Sequence, residues 1–172
     1  GQKPFATILA CSDSRVPLEL LFDQGFGDIF AIRVAGNVAT RYGIGSMQYA
    51  QHHLQTPLFV ILGHEGCGAV TAAMLPKEKR VQEPKGVQEL LDLVHIGKVD
   101  KSADPKAQLA SAVEANAKNV TKSLYDLNPD REGFTPREEE MVVTAVYEIS
   151  TGRVRILDKR KGIRGEKSGD AP

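Results

Sequence analysis

The 172-residue sequence predicts an α/β protein: a mainly parallel, doubly wound sheet of about four strands with an antiparallel edge strand, and helices on both faces. Two observations carry that expectation. Short apolar runs alternate with segments of helical periodicity through the first half of the chain, the order that gives right-handed crossovers and a parallel sheet. Two further apolar runs near the C-terminal end are separated only by Ser150-Thr151-Gly152, a spacing that fits a hairpin.

The elements follow in order. Phe5 to Ala10 reads as a strand buried on both faces, punctuated by Lys3-Pro4 before and Ser12-Asp13-Ser14 after. Val16 to Phe22 is a short helix with Pro17 in its first turn, ended by Gly25 and Gly27. Asp28 to Ala35 is a second strand, closed by Gly36-Asn37. From Ile44 to Gln55 the residues Ile44, Met47, Ala50 and Leu54 keep near-helical spacing, and Pro57 stops the helix. Leu58 to Leu62 is the most hydrophobic run and breaks at Gly63-His64-Glu65-Gly66-Cys67-Gly68, a strand ending in a glycine-rich turn. A helix packed through small residues follows from Ala69 to Leu75.

Beyond it, Pro76 to Lys85 is expected as a surface loop and Val87 to Leu93 as a short helix. Asp104-Pro105 starts an amphipathic helix in which Leu109, Val113, Ala117, Val120 and Leu124 recur at helical intervals. Asn128 to Glu140, with two prolines and a charge run, reads as a solvated loop. Met141 to Ile149 and Arg153 to Leu157 form the edge hairpin. The expected organisation is one domain over residues 1–157, then a polar basic tail over 158–172 that is mobile or an oligomer contact.

Composition removes several function classes. Twenty-two basic residues balance 22 acidic ones, so no net field attracts nucleic acid or an anionic membrane. No apolar run approaches the roughly 20 residues that span a bilayer, and the start GQKPFA lacks a signal pattern; the expectation is a cytoplasmic protein. Cys11 and Cys67 are too few for a disulfide scaffold and leave a single disulfide open.

The chemistry concentrates at strand ends, where ligands bind in parallel sheets. Cys11 follows the first strand, and His64 and Cys67 follow the third, which in a doubly wound sheet is often its neighbour. Either cysteine alone would read as a buried hydrophobe, since free cysteine is among the most buried residue types. Their joint placement with a histidine reads instead as a three-ligand set typical of catalytic zinc, its fourth position left for water or substrate. Gly63, Gly66 and Gly68 are expected to let the backbone approach the metal closely. Asp13 and Arg15 lie two and four residues past Cys11. An Asp held in an Arg fork stays ionised and accepts a proton from metal-bound water; alternatively it swings onto the metal and takes the fourth position.

Taken together, Cys11-Ser12-Asp13-Ser14-Arg15-Val16, Arg33-Val34-Ala35-Gly36-Asn37 and Gly63-His64-x-x-Cys67-Gly68-Ala69-Val70 resemble the signature of the β-class carbonic anhydrases, over about Gly1 to Leu157. The resemblance implies Cys11, His64 and Cys67 as zinc ligands and Asp13 with Arg15 as a catalytic dyad. It further implies substrate binding by Gln2 as a hydrogen-bond donor, Phe30 and Tyr49 as walls of a narrow apolar pocket, and Gly68. The implied reaction is zinc-dependent, reversible hydration of carbon dioxide to bicarbonate by zinc-hydroxide attack, in a homodimer or tetramer. Two thiolates donate more charge than histidines and leave the metal-bound water less acidic, so activity is expected to rise toward alkaline pH. His52 and His53 are expected on the surface, without a role. Family members carry helices ahead of the first strand that wrap a partner, and nothing here precedes Gly1, so dimer stability and pocket closure are expected to be affected. A bicarbonate site that depends on Trp in some members is not expected, because the chain has no Trp.

Two other readings compete: a carbonyl sulfide or carbon disulfide hydrolase on the same scaffold, and a catalytically inactive zinc-stabilised assembly or binding module. A nucleotide-binding domain is disfavoured by the absence of Gly-x-Gly-x-x-Gly and of the Walker lysine pattern after the first strand.

Overall fold

Ala6–Ala10 (β1) is buried at every position because it runs in the interior of the sheet, with a parallel neighbour on each side. The computed structural model describes residues 1–125 and 134–163. Five strands follow the order β2-β1-β3-β4-β5, where β2 is Ile29–Arg33, β3 Leu58–His64, β4 Met141–Glu148 and β5 Arg153–Lys161. The first four are parallel, and β5 returns antiparallel to β4 as the edge hairpin. The chain thus passes from β1 to β2 on one side and then crosses to β3 on the other. The switch point lies between β1 and β3, where Ala10 stands opposite Leu62.

Alternation along the strands separates two apolar faces. Leu9, Ile32, Phe59, Ile61 and Val142 pack against Met47 and Ala50 and against Ala117, Val120 and Leu124. These helical partners come from α2 (Arg41–Tyr49) with its continuation and from α6 (Pro105–Leu124). Ile8, Ala10, Ile29, Val60, Leu62 and Ala145 point the other way, toward Val16 and Leu18. Leu18 belongs to α1 (Leu18–Leu21), which Pro17 precedes. Helix α6 starts where its sequence signals it: Asp104 Oδ1 accepts from the Lys106 and Ala107 N–H groups, and Pro105 occupies the first turn.

Several boundaries differ from expectation for identifiable reasons. Helix α2 begins at Arg41 rather than Ile44 because the Thr40 hydroxyl accepts from the Gly43 N–H and caps it. Its last turn, Ala50–Leu54, widens to a π-helical turn and ends at Gln55, which is left-handed at φ 53°. Strand β3 runs to His64, so this histidine is the last residue of the strand rather than part of the turn after it. The expected loop over 76–85 contains a one-turn helix α4 (Lys77–Arg80) and leads into α5 (Lys85–Asp92); α3 spans Gly68–Ala73. Strand β5 continues to Lys161, because pairing of Lys161 with Met141 satisfies backbone groups that the apolar pattern does not report. Of the expected tail, residues from 164 onward lie outside the described residues, as do 128–133 of the expected loop before β4.

What is described of that loop is solvated only in part: Glu138 and Glu139 are exposed, but other residues are buried. Phe134 is 2% exposed and packs on Phe59, with ring centroids 4.6 Å apart. Buried Glu140 accepts from the Gln51 amide at 2.6 Å and from the Arg137 N–H at 2.7 Å, tying the loop to the π turn. Phe134→Ala is therefore expected to cost about 3–5 kcal/mol of stability, read as a lower urea midpoint at unchanged slope.

Among the described residues, no helix is long and apolar enough to cross a membrane.

Candidate metal centre

The switch point places Cys11 one residue past β1 and His64 at the end of β3, with Cys67 just before α3. Their candidate ligand atoms all lie within 4.8 Å of one another, and all three residues are buried. The two sulfurs are 3.9 Å apart and both cysteines are free, well beyond the roughly 2.05 Å of a disulfide. Two sulfurs on one tetrahedral zinc, each at about 2.3 Å, stand about 3.8 Å apart, so the observed separation suits a shared ion. The histidine supports the same fit. Its Nδ1 lies 2.9 Å from the Glu65 carbonyl, which holds the proton on that nitrogen. Its Nε2 is buried and has no hydrogen-bond partner among the described residues, leaving a lone pair aimed into the cluster. Soft thiolates with one imidazole are a donor set for zinc rather than for magnesium or calcium.

The backbone supports the sulfur of Cys11. The Gly36 N–H donates to Sγ at 3.2 Å, from a turn (Ala35–Asn37) in which Gly36 adopts φ 70°. Arg33 reaches the same loop, donating from Nε to the Cys11 carbonyl at 3.2 Å and from its terminal nitrogen to the Asp13 carbonyl at 2.6 Å. A hydrogen bond shared with Cys67 pulls the Cys11 thiol down, while the same contact and burial push the Cys67 thiol up. The pair therefore carries one negative charge more readily than two. A divalent cation removes that restriction by neutralising both sulfurs.

Asp13 and Arg15 form the fork that their spacing suggested. Arg15 Nε donates to Oδ1 at 2.9 Å and its terminal nitrogen to Oδ2 at 2.7 Å, while the Arg15 backbone N–H also reaches Oδ1. The same terminal guanidinium nitrogen of Arg15 also donates to the Gly66 carbonyl at 3.3 Å, linking the β1 loop to the turn between His64 and Cys67. The Arg15 hydrogen bonds hold the Asp13 carboxyl well below the usual carboxylate range, against the opposing effect of desolvation. Asp13 Oδ2 stands 3.8 Å from His64 Nε2.

Of the other expected residues, Gly68 follows Cys67 directly, while Phe30 and Tyr49 line a groove that excludes the cluster. Phe30 and Tyr49 stack on each other at 6.0 Å, and Tyr49 meets His53 at 4.7 Å. They line a broad groove of about 1180 Å³ with Tyr42, Leu93 and Phe134, a groove whose walls include none of Cys11, Asp13, His64 or Cys67. Gln2 is exposed ahead of β1. Gly68 opens α3 with free space where a Cβ would stand, and Gly66 is left-handed at φ 66°. Gly63 answers a different need from the one expected. A Cβ there would meet Val113 at 3.2 Å, so its absence lets α6 lie against β3 rather than letting backbone approach a metal. Gly36 and Arg33 hold the Cys11 loop, a role that depends on contacts across the fold and has no local sequence pattern.

A doubly wound α/β sheet with a cysteine–histidine–cysteine cluster assembled at its switch point defines the class of protein. A family model described as carbonic anhydrase matches residues 6–154, and the chain belongs to the β-class carbonic anhydrase family. It is 32% identical over 164 residues to a carbonic anhydrase of Mycolicibacterium smegmatis, covering 91% of this chain and 76% of that one. It is 54% identical over 74 residues to carbonic anhydrase 2 of Mycobacterium tuberculosis, covering 43% of this chain and 36% of the relative, so the match spans about a third of that protein's length. The solved β-carbonic anhydrase CcaA superposes with a TM-score of 0.72 at 25% identity, over 92% of this chain and 81% of the other.

Proposed function

We propose that the protein holds zinc through Cys11 Sγ, His64 Nε2 and Cys67 Sγ and interconverts carbon dioxide and bicarbonate. The observation that carries this reading is the convergence of those three atoms within 4.8 Å, beside an Asp13–Arg15 fork already formed. When bound, zinc supplies a Lewis acid that makes a coordinated water acidic enough to react near neutral pH. The ionised Asp13 carboxylate accepts a proton at Oδ2, the oxygen nearest the imidazole corner of the cluster, and passes it on rather than keeping it. Arg15 keeps that carboxylate ionised and points it, and the fork supports an Asp13 engaged by Arg15 rather than turned onto the metal. A centre serving only assembly has no use for such a pair, which favours catalysis over an inactive binding module.

The groove lined by Phe30 and Tyr49 supports the view that the site is completed in an oligomer, a homodimer or tetramer. Leu20, Phe26, Tyr42 and Tyr49 are exposed apolar or aromatic surface that a second copy would cover.

Stopped-flow hydration of carbon dioxide tests the function. Zinc-replete protein is expected to show a rate that scales with bound zinc, climbs toward alkaline pH and disappears on chelation. Stoichiometric zinc with no hydration at any pH would overturn the assignment.

A further inference from the structure

Helix α6 packs Ala112 and Val113 against the cluster that contains Cys11 and Cys67, and it also sends a polar side chain, Asn116, to the Gly36 turn. Asn116 is fully buried. Its Oδ1 accepts from the His95 N–H at 3.1 Å, and its Nδ2 donates to the Gly36 carbonyl at 2.7 Å. Both partners are backbone groups of fixed polarity, so only one orientation of the amide satisfies them. Gly36 in turn donates its own N–H to Cys11 Sγ. A residue at φ 70° without a Cβ has wide conformational freedom; the Asn37 N–H donates to the Val34 carbonyl and closes the turn around it, and the Asn116 amide holds its peptide from the α6 side. The turn is closely packed on that side, since a Cβ on Gly36 would stand 3.2 Å from the Ala69 methyl and 3.3 Å from a Val94 methyl, but these apolar contacts do not direct the peptide's polar groups as the Asn116 hydrogen bond does.

We propose that Asn116 is a positioning residue for the metal centre: it pins the Gly36 carbonyl from α6 and so fixes the Gly36 N–H donor on the sulfur of Cys11. The same amide ties down the backbone at His95, whose neighbours Val94 and Ile96 pack on the cluster that contains Cys11 and Cys67. The inference rests on the reading of Cys11 as a metal ligand. It differs from a purely structural role in what it predicts. A buried amide that merely satisfies backbone groups affects stability alone, whereas an amide that orients the donor to a ligand also changes how the ligand binds.

The test compares Asn116→Leu and Asn116→Ser with Thr121→Val. Thr121 lies on the same helix and makes an equally buried bond, to Thr144 at 2.6 Å, but that bond does not lead to the cluster. Zinc affinity is read by competition with a chelator, and ligand bonding by the sulfur-to-metal charge-transfer band of the cobalt(II)-loaded protein. Outer-shell changes in metal sites cost roughly 10–100-fold in affinity, and about tenfold weaker zinc binding with a shifted cobalt band is expected for the Asn116 variants. Thr121→Val is expected to lose stability with affinity and band unchanged. If Asn116→Leu fails to fold, the shorter Asn116→Ser gives the reading. Asn116 variants that bind zinc with wild-type affinity and an unshifted band, while losing stability as Thr121→Val does, would overturn the proposal. Wild-type protein that takes up neither metal would instead overturn the metal-site reading beneath it.

Discussion

Asp13→Asn is expected to lower carbon dioxide hydration by about 10²–10⁴-fold, the span of a lost proton acceptor, while zinc stoichiometry stays at the wild-type value. The substitution is nearly isosteric. It leaves Cys11, His64 and Cys67 untouched and still offers Arg15 one oxygen, but an amide takes up no proton at the atom next to the imidazole corner. Arg15→Gln separates the two parts of the pair's role. It removes the fork but not the carboxylate, so it is expected to reduce the rate less than Asp13→Asn does. Stopped-flow assays on metal-analysed samples check both variants. Asp13→Asn at full activity would show that the fork is a surface ion pair of the ordinary kind.

The second large effect is on stability. His64 is fully buried with an unpartnered Nε2, and two cysteine sulfurs face it, so the metal-free cluster is a set of buried polar groups only partly satisfied. A ligand bound to the native state alone at a thousandfold excess over its dissociation constant stabilises by about 4 kcal/mol. For a chain of this size each kcal/mol moves the melting temperature by about 2–4 °C, so chelating zinc is expected to lower it by about 8–16 °C. His64→Ala is expected to melt at the same temperature with and without chelator. Scanning calorimetry of matched samples reads both. A wild-type melting temperature indifferent to zinc would contradict the ligand assignment.

Much of this was legible in the sequence because the decisive signals are local. The buried run Ala6–Ala10, the capped helix from Asp104 to Leu124 and the hairpin around Gly152 each carry their own pattern, and the structure reproduces them. Cys11, Asp13 and Arg15 are neighbours in the chain, so the fork was one of the two arrangements their spacing left open. What escaped depends on distant partners. Phe134 looks like part of a charged loop until Phe59 is found beneath it, and nothing in the helical pattern around Gln51 announces its bond to Glu140. Gly63 yields to α6, and Asn116 reaches Gly36 across 80 residues. No periodicity reports such contacts. Phe30 and Tyr49 show the converse: a motif match named them, and within one chain they face a groove away from the cysteines.

X-ray absorption at the zinc edge of the purified, zinc-loaded protein tests the central claim most directly. The structure predicts a first shell with two sulfurs at about 2.3 Å and one imidazole nitrogen at about 2.0–2.1 Å, with one sulfur lost in Cys67→Ser. A shell of oxygens and nitrogens without sulfur, or a spectrum that Cys67→Ser leaves unchanged, would contradict it.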